Sequence, residues 1–191
     1  MDANKNSRTD VWLEDAEKVI SLHFDEREEG HGNEQISLLV IHNISLPPAS
    51  KESDFNNCYV EDFFTGSLDY EIDPYFQKIK DIRVSSHLYI KRNGKVVQFV
   101  PLNKRAWHAG VSEFNGRIRC NDFSIGIEMQ GTDDMAYTDL QYQALAQVTK
   151  KIQQLYPMII KERIVGHQHI SPGRKTDPGQ SFDWTRYKNA L

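Results

Sequence analysis

The chain has 191 residues, a formal net charge of −4 and 39% hydrophobic content, which suits one domain with a real core and gives no overall pull toward nucleic acid or anionic lipid. Cys58 and Cys120 lack the paired spacing of a structural zinc or redox site, and the sequence shows neither a signal-peptide pattern nor an apolar run of membrane-spanning length. The expectation is a single, reduced, cytoplasmic unit, monomeric and without nucleic-acid or membrane partners.

Residues 1–9 read as a polar, flexible N-terminus, and 10–191 as the ordered domain. A short amphipathic turn surrounds Trp12, Leu13, Ala16 and Val19, and a polar break runs from Arg27 to Glu34. Ile36 to Ile41 is a nearly continuous apolar run, the pattern of a buried strand, and it delivers His42 at its end. Leu46-Pro47-Pro48 stops regular structure. The segment 49–80 mixes aromatic, acidic and turn residues, and its length predicts an ordered loop with helical turns over a cleft. Val84 to Ile90 and Val96 to Val100 predict a hairpin, with Asn93-Gly94 supplying the positive φ of a tight turn.

A third buried strand is predicted from Phe123 to Met129, with Glu128 near its end. Thr138 suits the N-cap of a helix through Tyr156, where Leu140, Ala144, Leu145, Val148, Ile152 and Leu155 recur at helical spacing. Pro157 ends it, and Ile159 to Val165 carries apolar residues into Gly166-His167. Pro172, Gly173, Pro178 and Gly179 force an irregular loop beyond. Strands interspersed with helices predict an α/β (α+β) fold, a single domain with a central mixed sheet flanked by helices.

Among seven histidines, two stand in positions suited to ligation. His42 ends a strand, where a rigid scaffold points a side chain into a cleft, and His167 opens the loop that carries Lys175 and Asp177. Two imidazoles and one carboxylate suit a zinc ion, and three protein ligands leave a fourth position for water, the catalytic pattern. His169 rivals His167, because residues i and i+2 share a face in an extended chain. His87, inside a strand, reads as a hydrogen-bonded structural residue, and His108 as a pocket residue that does not touch metal. From the residues alone, Glu128 reads more readily as an exposed strand end than as a catalytic group, and Lys175 also reads as part of a solvated loop pair with Arg174 and Trp107 as core.

Four segments carry a more specific signal: Val40 to Pro48, Lys104 to Gly110, Cys120 to Glu128, and Gly166-His167 through Arg174 to Gly179. In that order they closely resemble the AmpD-type 1,6-anhydro-N-acetylmuramyl-L-alanine amidases, relatives of peptidoglycan recognition proteins and phage amidases. The resemblance runs from about Trp12 to the C-terminus. It implies one zinc ion held by His42, His167 and Asp177, with Glu128 as acid/base and Lys175 as the cation beside the metal. Asn43, Arg83, Trp107 and Arg119 fall at positions that bind the muropeptide. The implied reaction is hydrolysis of the amide between the lactyl group of anhydro-N-acetylmuramic acid and L-alanine during cell-wall recycling, with a family link to β-lactamase induction. The partner implied is a small soluble muropeptide. Two departures stand out: His169 replaces an expected Asp or Asn, and Ser86 precedes His87 where some phage-type relatives carry a catalytic tyrosine, which moves the acid/base role to Glu128. An amidase of intact wall, or a non-catalytic wall-binding module, are the competing readings.

Overall fold

The computed structural model describes residues 9–27 and 36–191. The predicted terminus up to Arg8 and most of the polar break after Arg27 lie outside the described residues. In chain order the strands are β1 (Glu17–Lys18), β2 (Phe24–Asp25), β3 (Leu38–Ile44), β4 (Leu88–Ile90), β5 (Val96–Gln98), β6 (Arg105–Ala106), β7 (Glu113–Phe114), β8 (Arg117–Ile118), β9 (Ser124–Gln130) and β10 (Ile164–Gly166). The α-helices are α1 (Tyr59–Thr65), α2 (Asp139–Leu155), α3 (His167–Ile170) and α4 (Trp184–Asn189). Six strands form one sheet in the order β1-β5-β4-β9-β3-β10. β10, β3, β9 and β4 are mutually parallel, and β5 turns back antiparallel to β4. The sheet is therefore mixed, as expected.

Strand alternation divides this sheet into two unlike faces. Leu39, Ile41, Ile125, Ile127, Met129, Leu88 and Ile90 point to one side, where they pack with Leu145, Val148 and Ile152 of α2 and with Tyr187 of α4. Leu38 and Val40 point to the other side, among Ala109, Cys120, Phe123 and Ile170. Continuing along that second face, the side chains become His42 on β3 and Ser124, Gly126 and Glu128 on β9. His42 and Glu128 lie toward the C-terminal ends of these parallel strands, where open α/β sheets form ligand crevices.

Helix α2 begins as predicted: Thr138 Oγ1 accepts from the Gln141 N–H at 3.1 Å, and the Gln141 side chain accepts from the Thr138 N–H at 3.1 Å, a closed capping box. Leu140 and Leu155, counted in the apolar stripe, are half exposed. Gln141 is buried instead, because its amide donates to the carbonyls of Ile90 and Gln130 at the C-terminal ends of β4 and β9. The β4–β5 hairpin also forms, but its strands span only Leu88–Ile90 and Val96–Gln98 and not the predicted 84–90 and 96–100, so His87 precedes β4, and of Asn93 and Gly94 only Gly94 takes a positive φ, 81°. Asn93 instead uses its side chain, accepting from the Lys95 N–H at 3.0 Å.

The segment 49–80 is ordered, with 3₁₀ turns at Glu52–Phe55 and Phe76–Lys78 flanking α1. It holds its place through a separate apolar cluster in which Val60, Phe63, Phe64 and Phe76 pack against Tyr89, Val97 and Phe99 of the sheet side. Among the described residues no helix is long and apolar enough to cross a membrane.

Candidate active site

The register of β3 and β9 places His42 directly opposite Glu128. Paired residues of parallel strands share a face, so backbone hydrogen bonding alone sets these two side chains next to each other. His167 arrives from the neighbouring β10, whose Gly166 pairs with Ile41, and the irregular loop after α3 brings Asp177 back to meet it. His42 Nδ1, His167 Nδ1 and Asp177 Oδ2 then form a triangle with all three edges at 3.0 Å. All three residues are buried.

The outer nitrogens of the two imidazoles decide what that triangle can hold. His167 Nε2 lies 3.0 Å from the Ala109 carbonyl and 3.3 Å from Arg174 Nη2, which itself donates to that carbonyl at 2.9 Å; the shorter contact, to a group that only accepts, assigns the proton to Nε2 and leaves Nδ1 to present its lone pair. His42 Nε2 lies 2.9 Å from His108 Nδ1, and His108 Nε2 lies 3.1 Å from Ser124 Oγ. A hydroxyl both donates and accepts, so this chain leaves His42 Nδ1 free to present a lone pair as well. Two imidazole lone pairs and a carboxylate oxygen converging on one point repel each other unless a cation lies between them. Edges of 3.0 Å are close to the about 3.3 Å expected between ligands of a tetrahedral zinc with bonds of about 2.0–2.1 Å. The donor set fits the ion.

Protonation agrees with ligation. Burial, partly offset by the hydrogen bond to Asp177, lowers the His42 pKa to about 4, so the ring is neutral near pH 7. Burial works to raise the Asp177 carboxyl, but hydrogen bonds from His167 and His42 outweigh it and hold the group below the ordinary carboxylate range. Glu128 behaves in the opposite way. Burial first, then the negative charge of Asp177, pushes its carboxyl well above the usual value, with Lys175 opposing. Its Oε2 is buried without a hydrogen-bond partner among the described residues. The exposed strand end considered for Glu128 is therefore not what forms: the side chain is 9% exposed, because β9 is an interior strand with β3 on one side and β4 on the other.

These groups line a cleft of about 650 Å³. Its polar lining includes His42, Asn43, Glu128, Asp133, His167, Lys175 and Asp177, and its apolar lining includes Leu46, Phe63, Phe64, Tyr75, Ile79 and Ile82. Asn43 donates to Asp133 Oδ1 at 2.8 Å. Lys175 is exposed on the same cleft as buried Asp177. Arg83, Trp107 and Arg119 are not among the residues that line the cleft. Arg83 donates to the carbonyls of Lys80 and Ile82, Trp107 stacks on His23 at 6.2 Å between centroids, and Arg119 pairs with Asp122 at 3.1 Å.

With the site's geometry described, comparison with known proteins becomes informative. The N-acetylmuramoyl-L-alanine amidase family matches residues 32–180. The chain belongs to that family. It is 52% identical to the 1,6-anhydro-N-acetylmuramyl-L-alanine amidase AmpD of Haemophilus influenzae over 94% of both chains. A crystal structure of a selenomethionine AmpD derivative superposes with a TM-score of 0.87 at 52% identity, covering 94% of this chain and 96% of that one. The Escherichia coli amidase AmiD, in complex with anhydro-N-acetylmuramic acid-L-Ala-D-γ-Glu-L-Lys, superposes at 0.59 with 27% identity, covering 88% of this chain and 65% of its own.

Within this amidase-family chain the other histidines separate cleanly. His169 does not rival His167, because residues 167–170 are helical and not extended, so i and i+2 diverge. Its Nδ1 instead accepts from the Gly166 N–H at 2.9 Å, and its ring packs on Trp184. His87 is buried and accepts from the Gly126 N–H at 3.0 Å, the structural role expected of it. His108 lines the cleft and touches His42 directly. Cys120 is buried in the apolar cluster beneath the site. The contacts of His108 with Ser124, and of Arg174 with the Ala109 and Val111 carbonyls, were not anticipated. The alternation Ser124-Ile125-Gly126-Ile127-Glu128 carried a trace of the first: small residues on one face of a buried strand leave room for something large.

Proposed function

We propose that this protein hydrolyses the amide between the lactyl group of 1,6-anhydro-N-acetylmuramic acid and L-alanine in small muropeptides, using one zinc ion held by His42, His167 and Asp177. The observation that carries this reading is the 3.0 Å triangle of ligand atoms beside the unpartnered Glu128 Oε2. The names of the close AmpD relatives and the anhydromuropeptide bound by AmiD supply the substrate class. Bound there, zinc would act as a Lewis acid on the scissile carbonyl and lower the pKa of a water toward about 7.

The chain's own residues supply the rest. Glu128 takes a proton from the attacking water and returns it to the departing alanine nitrogen, a task that suits a carboxyl whose pKa burial raises above the ordinary value. Lys175, on the rim of the cleft, places positive charge where the oxyanion develops. Asn43, oriented by Asp133, lines the cleft, and Arg83, Trp107 and Arg119 are assigned to the sugar and the stem-peptide carboxylates by resemblance to the family. The proposed function extends to a cytoplasmic role in cell-wall recycling, in which loss of the enzyme leads to muropeptide accumulation and β-lactamase induction.

The test is release of free stem peptide from anhydro-N-acetylmuramyl peptides, followed by mass spectrometry, alongside insoluble sacculi. Preference for the soluble compound is expected, and equal or better cleavage of sacculi would favour the amidase of intact wall. Glu128→Ala should retain zinc and lose activity by about 10²–10⁴-fold. Asp177→Ala should lose the metal itself, measured by elemental analysis. Near-normal turnover by Glu128→Ala would remove its acid/base role.

A further inference from the structure

The two imidazoles of the proposed metal site lean on one short stretch of backbone. His42 Nε2 meets the His108 side chain, and His167 Nε2 meets the carbonyl of the next residue, Ala109, at 2.9 and 3.0 Å respectively. That stretch is itself pinned: the N–H groups of His108 and Ala109 both donate to Asn121 Oδ1, at 3.1 and 2.8 Å. The far nitrogen of His108 ends on Ser124 Oγ at 3.1 Å. The ring has no room to move toward the sheet, since a Cβ on Gly126 would lie 2.5–2.8 Å from three of its atoms. His108 and Asn121 are each 8% exposed.

We propose that His108 and Ala109, anchored by Asn121 and Ser124, form a single brace that holds both histidine ligands in their zinc-binding orientation. His108 is thus a positioning residue that acts through His42 and does not itself ligate. The physical argument is one of proton placement. An imidazole that gives its Nδ1 lone pair to a metal must carry its proton on Nε2, and a buried N–H needs an acceptor. His108 Nδ1 is that acceptor for His42, and the Ala109 carbonyl is the acceptor for His167. Ser124 completes the arrangement by accepting from the His108 Nε2–H. Because its hydroxyl can equally donate, the same brace holds His42 in place before the metal arrives, when Nδ1–H of His42 points at Asp177 Oδ2 3.0 Å away.

This inference rests on the three-ligand zinc reading, and the experiment separates the two. Zinc dissociation constants are measured by chelator competition for the wild-type chain, His108→Leu, His108→Asn and Ser124→Ala, each checked for folding by circular dichroism. Leu removes the acceptor, and a loss of about 10–100-fold in zinc affinity is expected. Asn keeps an oxygen near the position of Nδ1 and should recover most of that loss. Ser124→Ala, which disturbs packing least, should weaken zinc several-fold and serves in place of the Leu variant if that chain does not fold. In the zinc-loaded wild type, ¹⁵N correlation spectra should show His108 protonated at Nε2 and bare at Nδ1. Variants that bind zinc as tightly as wild type, or a His108 protonated at Nδ1 in the loaded protein, would overturn the brace. A wild-type chain that fails to bind one zinc would instead overturn the ligand assignment beneath it.

Discussion

Ile125, Ile127 and Met129 of β9 are buried against α2, whereas Ser124, Gly126 and Glu128, one residue away in each case, face the cleft and the histidines. The same contrast runs along β3, where Leu39 and Ile41 face the helix layer and His42 faces the ligand triangle. Two residues joined by one peptide bond thus do unlike work: the helix-side residue supplies apolar burial, and the cleft-side residue costs stability to supply chemistry. A polar group on the cleft side is tolerated because a sheet interior already pairs the backbone, leaving only side chains to be satisfied.

Substitution of neighbouring β9 residues breaks this contrast most sharply. Ile127→Ala on the helix side should lower unfolding free energy by about 2–5 kcal/mol, through lost burial and a cavity. Denaturant unfolding should detect it, and zinc affinity of the folded protein should stay near wild type. Gly126→Ala on the cleft side should cost about 1–3 kcal/mol by overpacking, and in contrast should also weaken zinc, because the new Cβ displaces the His108 ring. Equal zinc affinity in the two variants would erase the distinction between the faces.

Glu128→Gln gives the gentlest test, since its effect on stability starts from nothing in acid. The folded pKa of Glu128 is raised by burial and by Asp177, while the unfolded value is about 4.3. Below that value both states hold the proton and the variant should match wild type. As pH rises, the unfolded chain releases its proton first, so wild-type stability falls through the window between the unfolded and folded pKa. The metal-free Gln variant should therefore melt higher than metal-free wild type above about pH 4.3, with a gap that widens as pH increases. Parallel melting curves across pH would show that the carboxyl is not held in a desolvated setting.

Much of the architecture was legible because it depended on local pattern. The apolar run before His42, the Thr138 cap and the breakers Pro157 and Pro172 each act within a few residues, and each element formed where they pointed. The candidate-site residues were legible by a different route: residue type and position suggested His42 with the His167–Asp177 loop, but no spacing joins those segments, and resemblance to known amidases was needed to tie them together and to add Glu128. What stayed hidden was set by tertiary register. Nothing near Glu128 announces that β9 will pair with β3 at His42. Nothing near His169 announces that one helical turn will swing it away from the metal, and Leu140 reads as core until Gln141 takes the buried position.

The cleft has walls of different origin. Its polar side is fixed by hydrogen-bonded rungs of the sheet, with His42 level with Glu128, while much of its apolar side comes from the 49–80 segment, seated on a separate cluster around Phe64 and Phe76. Geometry for bond cleavage and shape for substrate selection are thereby stored in different stretches of polypeptide. A change of length or sequence in residues 49–80 would therefore be expected to alter which wall fragment is admitted while the spacing of His42 and Glu128, set by the sheet register, stays as it is.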